Sequence, residues 1–172
     1  MMNLFILKRK IRRIQKEWKR VKCFKEYKQV KRVLVVFDMD NAEAVKDFSK
    51  SLQFKGKEVL ATSYFPGKMK ELPVVPDYFH LWHKGNVGFN GIPNQKELDA
   101  LLAFKPDTLI DLCLNPNPIM QYISLLVDAE YRVGFHLGDE SVGDLMIEYN
   151  PEQGFEFLAS QLHFYMKTLR TK

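Results

Sequence analysis

The five residues Val33-Leu34-Val35-Val36-Phe37 are continuously apolar and mostly β-branched. A strand with one wet face alternates apolar and polar residues, so an unbroken run requires cover on both faces. Helices give that cover when strands run parallel, and the rest of the chain carries the signals for them. Residues 42–54 read as a helix, with Asn41 as N-cap and Gly56 as stop. Residues 59–64 read as a strand and 78–82 as another, separated by a loop over 65–76 that holds Pro66, Pro73 and Pro76. Pro93 followed by Asn94-Gln95-Lys96-Glu97 opens a helix running to about residue 104. Strands at 108–112, 131–135 and 145–148 alternate with helices at 118–128 and 152–169. This alternation predicts an α/β fold: a single Rossmann-like domain over residues 33–172, with a mostly parallel sheet of five or six strands.

What precedes that domain has a different character. Of the 26 Lys and Arg residues, 13 lie between Lys8 and Arg32, against two acids, Glu17 and Glu26. Residues 33–172 carry 13 basic and 19 acidic side chains. Two oppositely charged objects therefore share one chain, with residues 1–32 expected as a basic helical arm. Residues 4–31 lack Gly and Pro, and Leu4, Leu7, Ile11, Ile14, Trp18 and Val21 recur three and four apart. That spacing predicts a helix over 4–31, or two helices divided near residues 21–24, with a heptad seam. The seam has several possible partners: the chain's own domain, a second copy in a homo-oligomer, another protein, an anionic membrane surface, or nucleic acid. Trp18 with Leu4 and Leu7 favours a membrane boundary over nucleic acid, and the acidic domain would repel phosphate.

Two distant cysteines, Cys23 and Cys113, make neither a disulfide framework nor a metal cluster. No apolar run reaches the ~20 residues of a spanning helix. Leu4-Phe5-Ile6-Leu7 precedes the charged block, the reverse of a secretory leader's order. The expected location is the cytoplasm, with peripheral membrane attachment through the basic helix.

In doubly wound sheets, ligands gather outside the carboxyl ends of the strands. Those ends carry Asp38, Asp40 and Asn41, then Asp111, Asn115 and Asn117, then His136, Asp139, Glu140 and Asp144. Asp38, Asp40, Asp111, Asn115, His136 and Asp139 are the candidate ligand-binding set. The same residue types cap helices and turns, so both roles stand open. The glycine-rich stretch 85–91 lacks the spacing of a dinucleotide or P-loop motif and reads as a turn. His80 and His83, three apart on a strand, would face opposite ways, which opposes a shared metal.

Phe37-Asp38-Met39-Asp40 resembles the first motif of haloacid-dehalogenase-type phosphatases. The resemblance implies Asp38 as nucleophile and Asp40 as acid/base. Gly138-Asp139 with Asp144 is similar to the late acidic motif, so Asp38, Asp139 and Asp144 would hold Mg²⁺. Asn41 departs from the Thr or Val expected there, a helix follows at once, and no Lys is placed to bind the phosphoryl group. A Mg²⁺-dependent phosphatase is thus the alternative reading. The leading one is a non-catalytic binding or interaction protein with no cofactor.

Phe89-Asn90-Gly91-Ile92-Pro93, residues 104–112, Tyr131-Arg132-Val133-Gly134 and Asp144-Leu145-Met146-Ile147-Glu148 resemble a family of small, uncharacterised bacterial α/β proteins. The resemblance spans most of the chain and implies a fold without an activity. Residues 108–112 and 132–135 are also similar to the N-terminal domain of heptosyltransferase-like sugar transferases. That likeness implies shared fold rather than shared reaction.

Overall fold

The computed structural model describes residues 2–115, 117–137 and 143–170. Five α-helices and six strands follow in the order α1 (Phe5–Glu17), β1 (Arg32–Val36), α2 (Ala42–Phe54), β2 (Glu58–Tyr64), β3 (Phe79–Trp82), α3 (Gln95–Leu102), β4 (Thr108–Asp111), α4 (Pro118–Leu126), β5 (Tyr131–His136), β6 (Leu145–Glu148) and α5 (Phe155–Thr168). The strands form one parallel sheet in the order β3-β2-β1-β4-β5-β6. This is the strand order of a Rossmann-like sheet, reversing between β1 and β4. β1 lies in the middle, and Val33 to Val36 are all buried, as the unbroken apolar run requires.

Two cores flank the sheet. Val33, Val35 and Phe37 meet α2 and α5 on one face, through residues such as Phe48, Leu52 and Leu162. Leu34 and Val36 point to the other face, which α3, α4 and α1 cover. Leu7 and Ile11 of α1 are buried in this second core, with Leu4 and Ile14 packed at its border. The basic segment does not stand apart from the domain, then: its apolar seam closes one face of the sheet. A second copy cannot use a seam already occupied within its own chain.

The helix is also shorter than its spacing predicts. It ends at Glu17, and residues 18–26 run without helix to a single 3₁₀ turn at Tyr27–Gln29. Tertiary ties replace the helical ladder there. Asp144 accepts from Arg20 Nη1 at 2.9 Å and from the Cys23 N–H at 3.0 Å, and Lys25 reaches Glu130 at 2.7 Å. Val21, next in the heptad, is exposed.

The glycine-rich turn meets the start of α1. Gly91 has φ +77°, and a Cβ there would lie 2.5 Å from Leu4 Cδ2 and 2.9 Å from Leu7 Cδ2. Only glycine meets both demands, backbone and space. The turn's N–H groups are spent internally: Gly85 on His83 Nδ1, Gly88 on Ile92 O, Gly91 on Gly88 O. The Asn3 N–H donates to Phe89 O at 2.9 Å, which completes the junction.

Candidate functional site

Among the described residues, Asp38, Asp40 and Asp144 do not share one site. Asp38 follows β1, and its Oδ2 accepts from the Leu114 N–H (2.6 Å), the Asn115 N–H (3.0 Å) and Asn115 Nδ2 (3.4 Å). It clamps the loop after β4 to the end of β1. All three donors meet the same oxygen, Oδ2. Asp40 lies with the start of α2 beside a different cleft, bounded by Gln153 and Phe155 near the start of α5. Asp144, at the entry to β6, also accepts from the Arg132 N–H at 2.8 Å, so its carboxylate is committed to holding the 18–26 segment. Asp139 and Glu140 lie outside the described residues. Among the described residues, no three His, Cys, Asp or Glu side chains converge as a metal-binding group.

Asp111, Asn115, Asn117 and His136 do come together. They line a cleft of about 250 Å³ between β4, β5 and α4 at the carboxyl edge of the sheet. Asn117 Oδ1 accepts from the Ile119 and Met120 N–H groups, capping α4 as its residue type suggests. Burial pushes the Asp111 carboxyl above its ordinary value; the Cys113 N–H, donating at 3.0 Å, partly opposes this. Burial, with Asp111 and Asp38 adding repulsion, raises the Cys113 thiol far more, which makes it a poor nucleophile.

Sequence reasoning missed the cleft's other polar wall. Arg132, on β5, is 4% exposed, and its Nη2 donates to Ser124 O (3.0 Å) and Val127 O at the end of α4. Its guanidinium carbon sits 4.9 Å from the centre of the Trp18 ring. Burial lowers its pKa to about 10, with Arg20 adding to the effect. Trp18 and Gln15 bring the end of α1 to the same cleft. One signal was present: a lone cation inside the apolar strand Tyr131-Arg132-Val133-Gly134-Phe135 must find partners when it is buried.

The outer surface of α1 forms a second feature. Lys8, Arg9, Lys10, Arg12, Arg13 and Lys16 are all exposed. Glu17 bonds Arg13 at 3.1 Å and is the acid paired with this face among the described residues. Phe5 (70% exposed), Ile6 (47%) and Phe89 (72%) cluster at the N-terminal end, where Asn3 bonds the Phe89 carbonyl.

A family model matches residues 4–169, nearly the whole chain. The chain belongs to a family of unknown function, DUF6913. The matched span includes α1. No curated protein and no solved structure matches the chain. The family match indicates no function, catalytic or otherwise.

Proposed function

We propose that this protein is a non-catalytic interaction module that docks on an anionic membrane surface through the outer face of α1. The observation that carries the reading is the orientation of that helix. Its apolar seam is spent on the sheet, so six Lys and Arg side chains face outward as a rigid set, with Phe5, Ile6 and Phe89 at one end. Each basic residue near an anionic leaflet contributes about 1 kcal/mol, and one of the six is offset by Glu17. The total gives reversible attachment at sub-millimolar lipid. Partly exposed apolar tips add a contribution that salt does not screen.

Nucleic acid fits this surface less well. Single-strand binders interleave aromatic platforms with charge along the groove, whereas here the aromatics sit at one end and one of the three apolar side chains is aliphatic. We assign the cytoplasmic side of the membrane, a reading supported by two unpaired cysteines. Among the described residues, no helix is long and apolar enough to cross the bilayer, so attachment would be peripheral. We read the likeness to bacterial family members and to heptosyltransferase-like domains as one of fold, and carry no reaction from it.

Co-sedimentation with vesicles tests this. The full chain should bind vesicles containing about one-third phosphatidylserine or phosphatidylglycerol, and bind pure phosphatidylcholine at least tenfold more weakly. Replacing Arg9, Arg12, Arg13 and Lys16 by Gln should abolish the difference. Equal binding to both vesicle types would overturn the proposal, as would tight binding to a random oligonucleotide without vesicle binding.

A further inference from the structure

The amino edge of the sheet, opposite the strand ends described above, gathers cations on a domain that is otherwise acidic. Residues 33–172 hold 13 basic side chains against 19 acidic ones, yet Lys55, Lys57, Lys167 and Arg170 all line one cleft. They arrive from separate elements. Lys55 caps the end of α2, Lys57 leads into β2, and Lys167 and Arg170 come from the last turn of α5 and the residues after it. Lys28 joins them from the 3₁₀ turn at Tyr27–Gln29. Glu26, 3.1 Å from Lys28, is the acid on this wall among the described residues.

Other cations of the domain sit beside acids: Lys46 with Glu43, Lys50 with Asp47, Arg32 with Glu58. Among the described residues, no ion pair reaches Lys55, Lys57, Lys167 or Arg170. Lys57 Nζ donates to the carbonyls of Tyr27 (2.6 Å) and Val30 (2.7 Å), which holds its charge beside the turn. The ammonium groups of Lys55 and Lys167 have no such bonds. Their nearness is felt by the buried His163 imidazole, whose pKa burial lowers and Lys167, Lys55 and Lys57 lower further. A cation at each helix end complements the dipoles of α2 and α5, which explains Lys55 and Lys167 singly. Lys28 and Lys57 come from other elements, and the gathered like charges repel one another in the free protein.

We propose that this cleft binds a soluble small anion carrying two or more linked phosphate groups. Lys55, Lys167 and Arg170 hold the phosphates, and Lys57 adds fixed positive charge. Lysine ammonium groups are compact point charges, without the planar fork that grips one phosphate bidentately, so a spread of them suits a chain of phosphates. The cleft volume of about 450 Å³ is that of a small-molecule site. Linked phosphates bring several negative charges into that space, to meet five cations and one carboxylate. The site does not depend on the docking of α1, which packs on the other face of the sheet.

Isothermal titration calorimetry on the full chain tests the proposal, with tripolyphosphate as probe and orthophosphate and citrate as comparators. Tripolyphosphate should bind saturably below about 1 mM in about 0.1 M salt, at least about tenfold tighter than either comparator. Lys55→Gln combined with Lys167→Gln should weaken binding at least about tenfold. The melting temperature of the free variant should hold or rise, because the change removes repulsion, and its vesicle binding should persist. Arg170→Gln, beyond the last helix, should lose several-fold in affinity and provides a second reading if the double variant folds poorly. The α1 variant with Gln at Arg9, Arg12, Arg13 and Lys16 should keep tripolyphosphate binding, whatever its behaviour toward vesicles. Four results would overturn the proposal: no saturable binding of tripolyphosphate, equal binding of orthophosphate or citrate, affinity unchanged in both the double variant and Arg170→Gln, or loss of tripolyphosphate binding in the α1 variant.

Discussion

Arg20 and Asp144 form a two-point ion pair, with Arg20 Nη1 donating to Asp144 Oδ1 at 2.9 Å and Nη2 to Oδ2. The same carboxylate takes the N–H groups of Cys23 and Arg132. One side chain thus joins the segment after α1, the start of β5 and the entry to β6. Asp144→Ala would remove the carboxylate partner of Arg20, which keeps the Glu130 carbonyl, and the acceptor of two backbone donors. The expected loss is about 3–5 kcal/mol, read as a fall in the urea midpoint. Arg20→Met should cost less, since both N–H groups keep their acceptor.

Leu7→Ala should destabilise the domain by about 2–5 kcal/mol, because Leu7 is fully buried against the sheet. Substituting Gln for Arg9 or Arg12 on the opposite side of the same helix should change stability by no more than about 0.5 kcal/mol. Equilibrium denaturation of the three variants separates a structural seam from a functional face. Removing residues 1–17 should uncover the apolar side chains of the core that Leu7 and Ile11 join, and leave an aggregating or unfolded chain.

Gly91→Ala should cost at least about 1 kcal/mol, from the positive φ together with the collision with Leu4 and Leu7. Thermal denaturation provides the readout. Combined with Leu7→Ala, the two losses should be less than additive, because the smaller side chain relieves the Leu7 contact.

His163 gives the fold a pH dependence of defined sign. It lies between Tyr27 Oη, 2.7 Å from Nε2, and Ser51 Oγ, 3.4 Å from Nδ1. Burial, reinforced by Lys167, Lys55 and Lys57, lowers its pKa from 6.5 to about 4. The unfolded chain takes up the proton first, so this contribution is complete above about pH 6.5 and is lost as pH falls toward 4. Urea midpoints should drop between pH 7 and pH 5 in the wild type. In His163→Gln, that part of the slope should vanish.

The strands and their order were legible because Val33-Leu34-Val35-Val36-Phe37 admits only a position covered on both faces, and the helices between strands force parallel pairing. The end of α1 was not. Spacing alone continues the helix past Trp18, whereas the chain is drawn off by Arg20 and Cys23 bonding to Asp144, more than a hundred residues away. Asp38 illustrates the ambiguity of a carboxylate at a strand end. Its residue type suits a nucleophile or a clamp, and the clamping contacts to the Leu114 and Asn115 N–H groups come from a loop 76 and 77 residues away that no local pattern reveals. Arg132 was missed because its partners are carbonyls at the end of α4, which sequence patterns do not reveal.

The docking of α1 on an anionic membrane is tested most directly by quenching with brominated phosphatidylglycerol. A tryptophan at position 5, introduced as Phe5→Trp, should lose much of its emission when the protein meets brominated anionic vesicles. The native Trp18 and Trp82, half-buried and buried, should keep theirs in the wild-type chain. No quenching at position 5 under conditions where the protein co-sediments with lipid would contradict the proposed orientation, and quenching of Trp18 in its place would show that the domain attaches by another face.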